Sequence, residues 1–257
     1  MPEAYERYLV PVFFRPFAAD LAARAAALRP RTVLELAAGT GALTSALLAE
    51  TDTVSIVATD LNAAMVACGS AREPRAHWQQ ADAQDLPFED AAFDLVLCQF
   101  GVMFFPDRPA AYAQVRRVLA PHGRFLFSSW GPLASHGFGA EFQAALEHAL
   151  PEGAPSFLPE VPHGYSDPAV VEADLAAAGL ALDRAEQVTL EGVAESAASV
   201  ATGFLTGTPV TAAVAARDDA GEVRDAVIQE MTNRLGTGPV RAPMTATVYT
   251  ARPVADE

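Results

Sequence analysis

Val33-Leu34-Glu35-Leu36-Ala37-Ala38-Gly39-Thr40-Gly41 runs from an apolar strand into a loop of small residues and then into a helix. Small residues at such a turn let a ligand approach the backbone, and the helix start offers unpaired N–H groups with partial positive charge. On either side, short apolar runs alternate with amphipathic helical stretches. The runs lie at 32–36, 54–59, 93–99 and 124–129, with a weaker one at 76–80, and the helices at 40–50, 61–70 and 109–119. The runs are continuous, as in strands buried on both faces, so the pattern predicts an open, mostly parallel sheet with helices on both sides. Folds of this kind bind ligands at the carboxyl ends of the strands, where the strand order reverses.

After Ser129 the rhythm changes. Residues 130–165 are rich in Gly, Pro and His and read as a loop and cap, with one helix near 138–150. A helix at 168–178 leads to a strand near 185–190, and a last strand lies at 245–251. The mostly helical stretch between those strands is too long for a hairpin connection and reads as part of a substrate cap. The expected division is a helical lid at 1–30, a ligand-binding domain at 31–193 and 241–257, and a helical cap insertion at 194–240.

Composition narrows the chemistry. All 17 basic residues of the 257 are arginine, which excludes a lysine Schiff base and a Walker-type phosphate loop. Against them stand 32 acidic residues, for a formal net charge of −15, so polyanions are repelled and neither nucleic acid nor an anionic membrane is an expected partner. The uncharged stretch 196–216 fails as a membrane span because Gly203, Gly207 and Pro209 interrupt it. Glu3, Glu6 and Arg7 precede any apolar run, unlike a signal peptide, and Cys68 and Cys98 lack CxxC spacing. A reducing, cytoplasmic setting is the expectation.

Three carboxylates fall at or near strand ends. Glu35 lies in the first strand. Asp60 ends the second, where it suits the two hydroxyls of a ribose, with a helix N-cap as the competing reading. Asp82, followed by Ala83, ends the weaker strand and suits an exocyclic adenine amine, with a solvated loop aspartate as its competitor. A dinucleotide site wants GxGxxG, but Gly39-Thr40-Gly41-Ala42-Leu43-Thr44 lacks the third glycine. Glu35 is also ill placed beside two phosphates, whereas it suits a ligand carrying an ammonium and a sulfonium. The charges favour S-adenosylmethionine over NAD.

Together with Thr59-Asp60-Leu61-Asn62, Ala81-Asp82-Ala83-Gln84-Asp85-Leu86-Pro87-Phe88, Phe93-Asp94-Leu95-Val96-Leu97-Cys98-Gln99-Phe100-Gly101 and Arg116-Arg117-Val118-Leu119-Ala120-Pro121-His122-Gly123-Arg124, the opening motif resembles those of class I SAM-dependent methyltransferases. The likeness is to the small-molecule branch similar to ubiquinone/menaquinone-biosynthesis enzymes, and it spans about 32–130. It implies a Rossmann-like seven-stranded sheet ending in an antiparallel strand. It also implies that Ala37, Gly39 and Gly41 line the methionine and ribose of the cofactor, with Glu35 near its amino-acid end. Asp60 would hold the ribose hydroxyls, Leu61 pack on adenine, Asp82 and Ala83 read the adenine edge, and Gln99 and Phe100 floor the methyl group. Ala37 departs from the family's first glycine by one methyl.

The expected reaction is in-line methyl transfer to a small, partly hydrophobic acceptor, such as a phenol, quinone-like ring or polyketide, leaving S-adenosylhomocysteine. A base is needed only if the acceptor must lose a proton, and His136, in a loop expected to be flexible, and His163 are the candidates, with His136 preferred and a surface or packing role as the competing reading of each. Tyr5, Phe14, Phe104, Trp130 and His136 are the candidate acceptor-pocket residues. No metal is expected, and the chain is expected to be a monomer or homodimer. A nicotinamide oxidoreductase and a non-catalytic SAM-binding scaffold are the rivals.

Overall fold

The computed structural model describes residues 2–254. A single turn, α1 (Pro2–Ala4), leads through a π-helical stretch (Tyr5–Phe14) into α2 (Arg15–Ala27). Next come β1 (Thr32–Glu35), α3 (Ala42–Glu50), β2 (Ser55–Asp60), α4 (Ala63–Arg72) and β3 (His77–Gln80). β4 (Phe93–Gln99), a 3-10 turn (Val102–Phe104), α5 (Arg108–Val118) and β5 (Leu119–Trp130) follow. A second 3-10 turn (Leu133–Ser135), α6 (Gly137–Ala149), α7 (Phe157–Glu160) and α8 (Pro168–Ala177) precede β6 (Leu180–Ala194). Finally α9 (Ala197–Gly207), α10 (Val210–Ala215) and α11 (Ala220–Leu235) lead to β7 (Val240–Pro253).

The seven strands form one sheet in the order β3-β2-β1-β4-β5-β7-β6. Pairing from β3 to β5 is parallel, and β7 runs antiparallel to β5. This is the Rossmann-like sheet that the resemblance implies. Its order reverses at β1, which pairs with β2 on one side and β4 on the other, so the loops after β1 and β4 leave in opposite directions. Asp94 clamps the opposite ends of these strands, accepting the Arg31 and Thr32 N–H groups on Oδ2 at 2.9 and 3.1 Å.

Three strands run longer than the apolar runs suggest. β5 starts at Leu119 and passes Pro121 and Gly123, with an irregular register against Phe93 and Leu95. β6 alternates exposed and half-buried residues along most of its length, so polar residues mask it, and β7 begins with an alternating segment before its continuously buried one.

The chain divides into two compact units. The sheet unit comprises Phe17–Trp130, Tyr165–Val188 and Ala246–Glu257. One face of its sheet packs Val33, Leu95, Leu97, Leu126 and Val248 against Leu21 of α2 and Leu43 and Leu47 of α3. On the other face Phe125 stacks on Phe127, and Phe127 on Tyr249, at 4.4 and 4.8 Å, beside the fully buried Tyr112 of α5. The helical unit comprises Met1–Pro16, Gly131–Gly164 and Thr189–Thr245. Phe204 of α9 packs there against Phe13 and Phe142, at 5.1 and 4.5 Å. Among the described residues no helix is long and apolar enough to cross a membrane.

Candidate active site

The loop after β1 is tied to both neighbouring strands. Leu36 donates its N–H to the Leu97 carbonyl of β4, and Ala38 its N–H to the Thr59 carbonyl of β2, each at 2.8 Å. The chain then turns through left-handed backbone at Ala37 (φ +51°), Gly39 (+57°) and Gly41 (+87°). For alanine this conformation costs roughly 1–2 kcal/mol, so the departure at Ala37 is a matter of backbone strain and not only of a methyl's bulk. At Gly41 a Cβ would also stand 2.9 Å from the Trp78 ring, so both space and φ require glycine. A Cβ on Gly39 would meet nothing within 4 Å, which leaves that side of the loop open to a ligand.

Asp60, at the end of β2, is aimed by two backbone amides. Oδ2 accepts from Gly39 N–H at 2.9 Å and Oδ1 from Asn62 N–H at 2.8 Å. An ionised carboxylate has roughly four acceptor positions, so two remain for a ligand. The helix N-cap is Asn62, whose Oδ1 accepts from Ala64 N–H at 2.9 Å, which disposes of the competing reading of Asp60. Between them Leu61 is 65% exposed, its carbonyl accepting from Gln80 Nε2 at 2.8 Å.

Glu35 lies beneath the loop, 2% exposed. Its Oε2 accepts from the Thr44 hydroxyl at 2.6 Å, and its carbonyl from the Thr59 hydroxyl at 2.9 Å. Burial pushes its carboxyl up to about 8, against the Thr44 hydrogen bond and with the charge of Asp60 adding to the rise. Thr44 occupies the place of a dinucleotide motif's third glycine, and its hydroxyl is spent on this carboxyl.

Past β3, Asp82 and Ala83 are half-buried. Asp82 Oδ1 accepts from Gln84 N–H at 2.9 Å, and the Asp82 carbonyl from Asp85 N–H at 3.0 Å. Gln99 ends β4, and Phe100 follows in left-handed backbone (φ +53°), donating its N–H to the Ser128 carbonyl at 3.1 Å. The Phe100 ring lies flat on Trp130 with centroids 3.7 Å apart, and Phe17 sets its edge against both. These two rings are buried, so they form a packed floor, and the apolar side chains left open are Leu61 and Phe104, the latter 50% exposed. Gly101 closes the floor, since a Cβ there would stand 2.6 Å from that of Ala37 and 2.7 Å from Cys98 Sγ. Burial pushes the Cys98 thiol up, out of any nucleophilic range.

The sequence-predicted residues on β3, β2, β1 and β4 therefore share one edge, the carboxyl edge of the parallel strands, in sheet order. A paired acceptor at Asp60, an open leucine beside it and open backbone at Gly39 fit a nucleoside-bearing ligand. Among the described residues no three His, Cys, Asp or Glu side chains gather as a metal site.

The chain is similar to known proteins in sequence and in fold. A family model for a methyltransferase domain matches residues 34–127. The demethylmenaquinone methyltransferase of Thermus thermophilus is 34% identical over 182 residues, covering 66% of this chain and 81% of that protein. The chain belongs to the class I SAM-dependent methyltransferases of the ubiquinone/menaquinone-biosynthesis type. Its Deinococcus radiodurans relative, also a demethylmenaquinone methyltransferase, is 35% identical over 160 residues. That match covers 57% of this chain and 66% of the relative, just under two thirds of its length. Among solved structures, the YcgJ protein of Bacillus subtilis superposes with a TM-score of 0.58 at 20% identity, over 92% of this chain and 98% of that one, and shares the fold.

In this methyltransferase the remaining candidates, Tyr5, Phe14 and His136, fall in the helical unit. The Tyr5 and Phe14 rings lie 5.0 Å apart. His136 is not in a flexible loop, as its Gly-rich surroundings suggest; it is the buried N-cap of α6, with Nδ1 accepting from Gly139 N–H at 3.0 Å. Burial, with the neighbouring His163, pushes its imidazole down to about 3 and keeps it neutral. Sequence reading missed Thr44, Trp78 and Gln84, whose parts are set by contacts between strands and helices. Only the small residues Gly41 and Gly69, both against the Trp78 ring, hinted at an aromatic wedge.

Proposed function

We propose that this methyltransferase binds S-adenosylmethionine along the carboxyl edge of β3, β2, β1 and β4 and transfers its methyl group to a small, partly hydrophobic acceptor. The observation that carries the reading is Asp60, held by the Gly39 and Asn62 amides with acceptor positions to spare. When bound, the cofactor supplies a methyl group on a sulfonium, already strongly electrophilic. Asp60 takes the ribose hydroxyls, Leu61 lies against adenine, and Asp82 with Ala83 reads the adenine edge. The left-handed Ala37–Gly41 loop brings backbone close to the methionine portion. Buried beneath it, Glu35 ionises in response to a cationic ligand, because a positive charge nearby offsets the desolvation that holds its proton. Gln99 and the Phe100–Trp130 stack form a rigid floor that limits the directions from which an acceptor can approach, so alignment supplies much of the rate.

No base is assigned to His136, whose Nδ1 is committed to α6. The acceptor class is a phenol, quinone-like ring or polyketide-type metabolite. The exposed apolar side chains at the carboxyl edge and the net charge of −15 support a small apolar acceptor over a polyanion. Incubating the protein with methyl-labelled cofactor and a metabolite extract tests this: label should pass into small aromatic or enolic molecules, and transfer solely to protein or nucleic acid would refute it.

A further inference from the structure

We propose that Arg117 of α5 is the positioning residue for the segment that reads the adenine ring, acting through Asp82 and Ala83 without touching the cofactor. The inference rests on the cofactor assignment above. Residues 82–90 have no regular structure beyond an isolated bridge between Asp82 and Asp85, yet they carry the only polar side chain assigned to the base. An irregular segment discriminates between bases only if its carboxylate is fixed to within a fraction of an ångström.

The Arg117 guanidinium supplies that constraint with all three nitrogens. Nη1 donates to the Phe88 carbonyl at 2.6 Å and to Asp90 Oδ1 at 2.8 Å. Nη2 donates to the Leu86 carbonyl at 2.7 Å, and both Nη2 and Nε donate to Gln114 Oε1, at 2.8 and 3.1 Å. The Arg117 carbonyl accepts from Ala91 N–H at 2.9 Å, so one residue holds the far end of the segment through main chain and side chain. Gln114, one turn earlier on α5, also accepts from Leu86 N–H at 3.4 Å. At the near end, Gln84 joins its backbone N–H to Asp82 and its side-chain oxygen to Asp107 N–H, the cap of α5. The segment is thus strung along α5, and Arg117 is its strongest tie. Lysine cannot replace the planar fork, because one ammonium does not reach two carbonyls and an amide oxygen in fixed directions.

The test compares S-adenosylhomocysteine with S-inosylhomocysteine, in which a carbonyl replaces the exocyclic amine and so faces Asp82 acceptor to acceptor. Calorimetry on the full chain should give the wild type a preference of about thirtyfold for the adenine form. Arg117→Lys should bind S-adenosylhomocysteine about tenfold more weakly and shrink the preference to about threefold, with kcat at saturating cofactor within about twofold of wild type. Gln114→Ala should move the preference in the same direction by less. Asp90→Asn should leave it unchanged, since the Arg117–Asp90 pair is largely exposed on the aspartate side. A folded Arg117→Lys protein that keeps the wild-type preference overturns the proposal, and if that variant does not fold, an unchanged preference in Gln114→Ala overturns it. A wild type that binds S-adenosylhomocysteine but does not distinguish the two bases removes the role of Asp82 and this proposal with it. Failure to bind either compound refutes the cofactor assignment itself.

Discussion

Asp60 in the sheet unit and His136 in the helical unit are both polar side chains bonded to backbone amides near a helix start, and they end in opposite conditions. Asp60 receives two amides and keeps acceptor positions on a half-buried carboxylate. His136 is 3% exposed and has its Nδ1 committed to the first turn of α6. A group aimed by the backbone with capacity remaining is prepared for a ligand, whereas one whose acceptor is used up is prepared for the fold. The same contrast separates the left-handed loop at 37–41 from the aromatic packing of Phe13, Phe142 and Phe204.

The most severe test of the contrast is Asp60→Ala. It should weaken S-adenosylhomocysteine binding by about 100-fold or more in calorimetry, since two hydrogen bonds to a charged group are lost. An affinity within about threefold of wild type would show that Asp60 only shapes the loop. The next effect is pH-dependent and belongs to Glu35. Its folded pKa, about 8, lies above the ordinary 4.5, so the stability it lends the free protein is complete below 4.5 and is lost as pH rises through 8. A cationic ligand favours the ionised form, so affinity should rise about tenfold between pH 6 and pH 8, with proton release visible as a buffer-dependent heat. Glu35→Gln should flatten both trends, and an unchanged pH profile in that variant would exclude Glu35 as the source. The smallest effect is expected at His136. Asparagine keeps an N-cap, so His136→Asn should leave turnover within about twofold, whereas His136→Ala should lose about 1 kcal/mol of stability. Because the folded pKa of His136 is depressed to about 3, its contribution is present above 6.5 and is lost as pH falls through 3. His136→Asn should remove that part of the acid sensitivity. A folded His136→Asn protein without turnover would give the helical unit a share in the chemistry and break the contrast.

The parts of the molecule legible in the sequence are those whose signal is local. Continuous apolar runs marked β1, β2 and β4 because those strands are buried on both faces, and the small residues from Ala37 to Gly41 marked the loop because left-handed backbone restricts residue choice. β6 was only partly legible, since a strand that is half-buried along most of its length needs little apolar sequence. That Asp60 does not cap the helix could not be read until the fold put Asn62 in that place and brought Gly39, 21 residues away, onto the Asp60 carboxylate. Arg117 was visible within a motif, but its work is done on carbonyls 29 and 31 residues away, which no spacing rule reports. The role of His136 was hidden for a different reason: a histidine among glycines looks mobile until the helix that it caps is in place.

The central claim is that the carboxyl edge of this sheet holds an adenosylated sulfur compound, and thermal unfolding with two ligands tests it most directly. At 100 times its dissociation constant, S-adenosylhomocysteine should stabilise the protein by about 2.7 kcal/mol, a rise of about 5–10 °C in Tm, while NADH at the same concentration leaves Tm unchanged. Stabilisation by NADH with none by S-adenosylhomocysteine would contradict it.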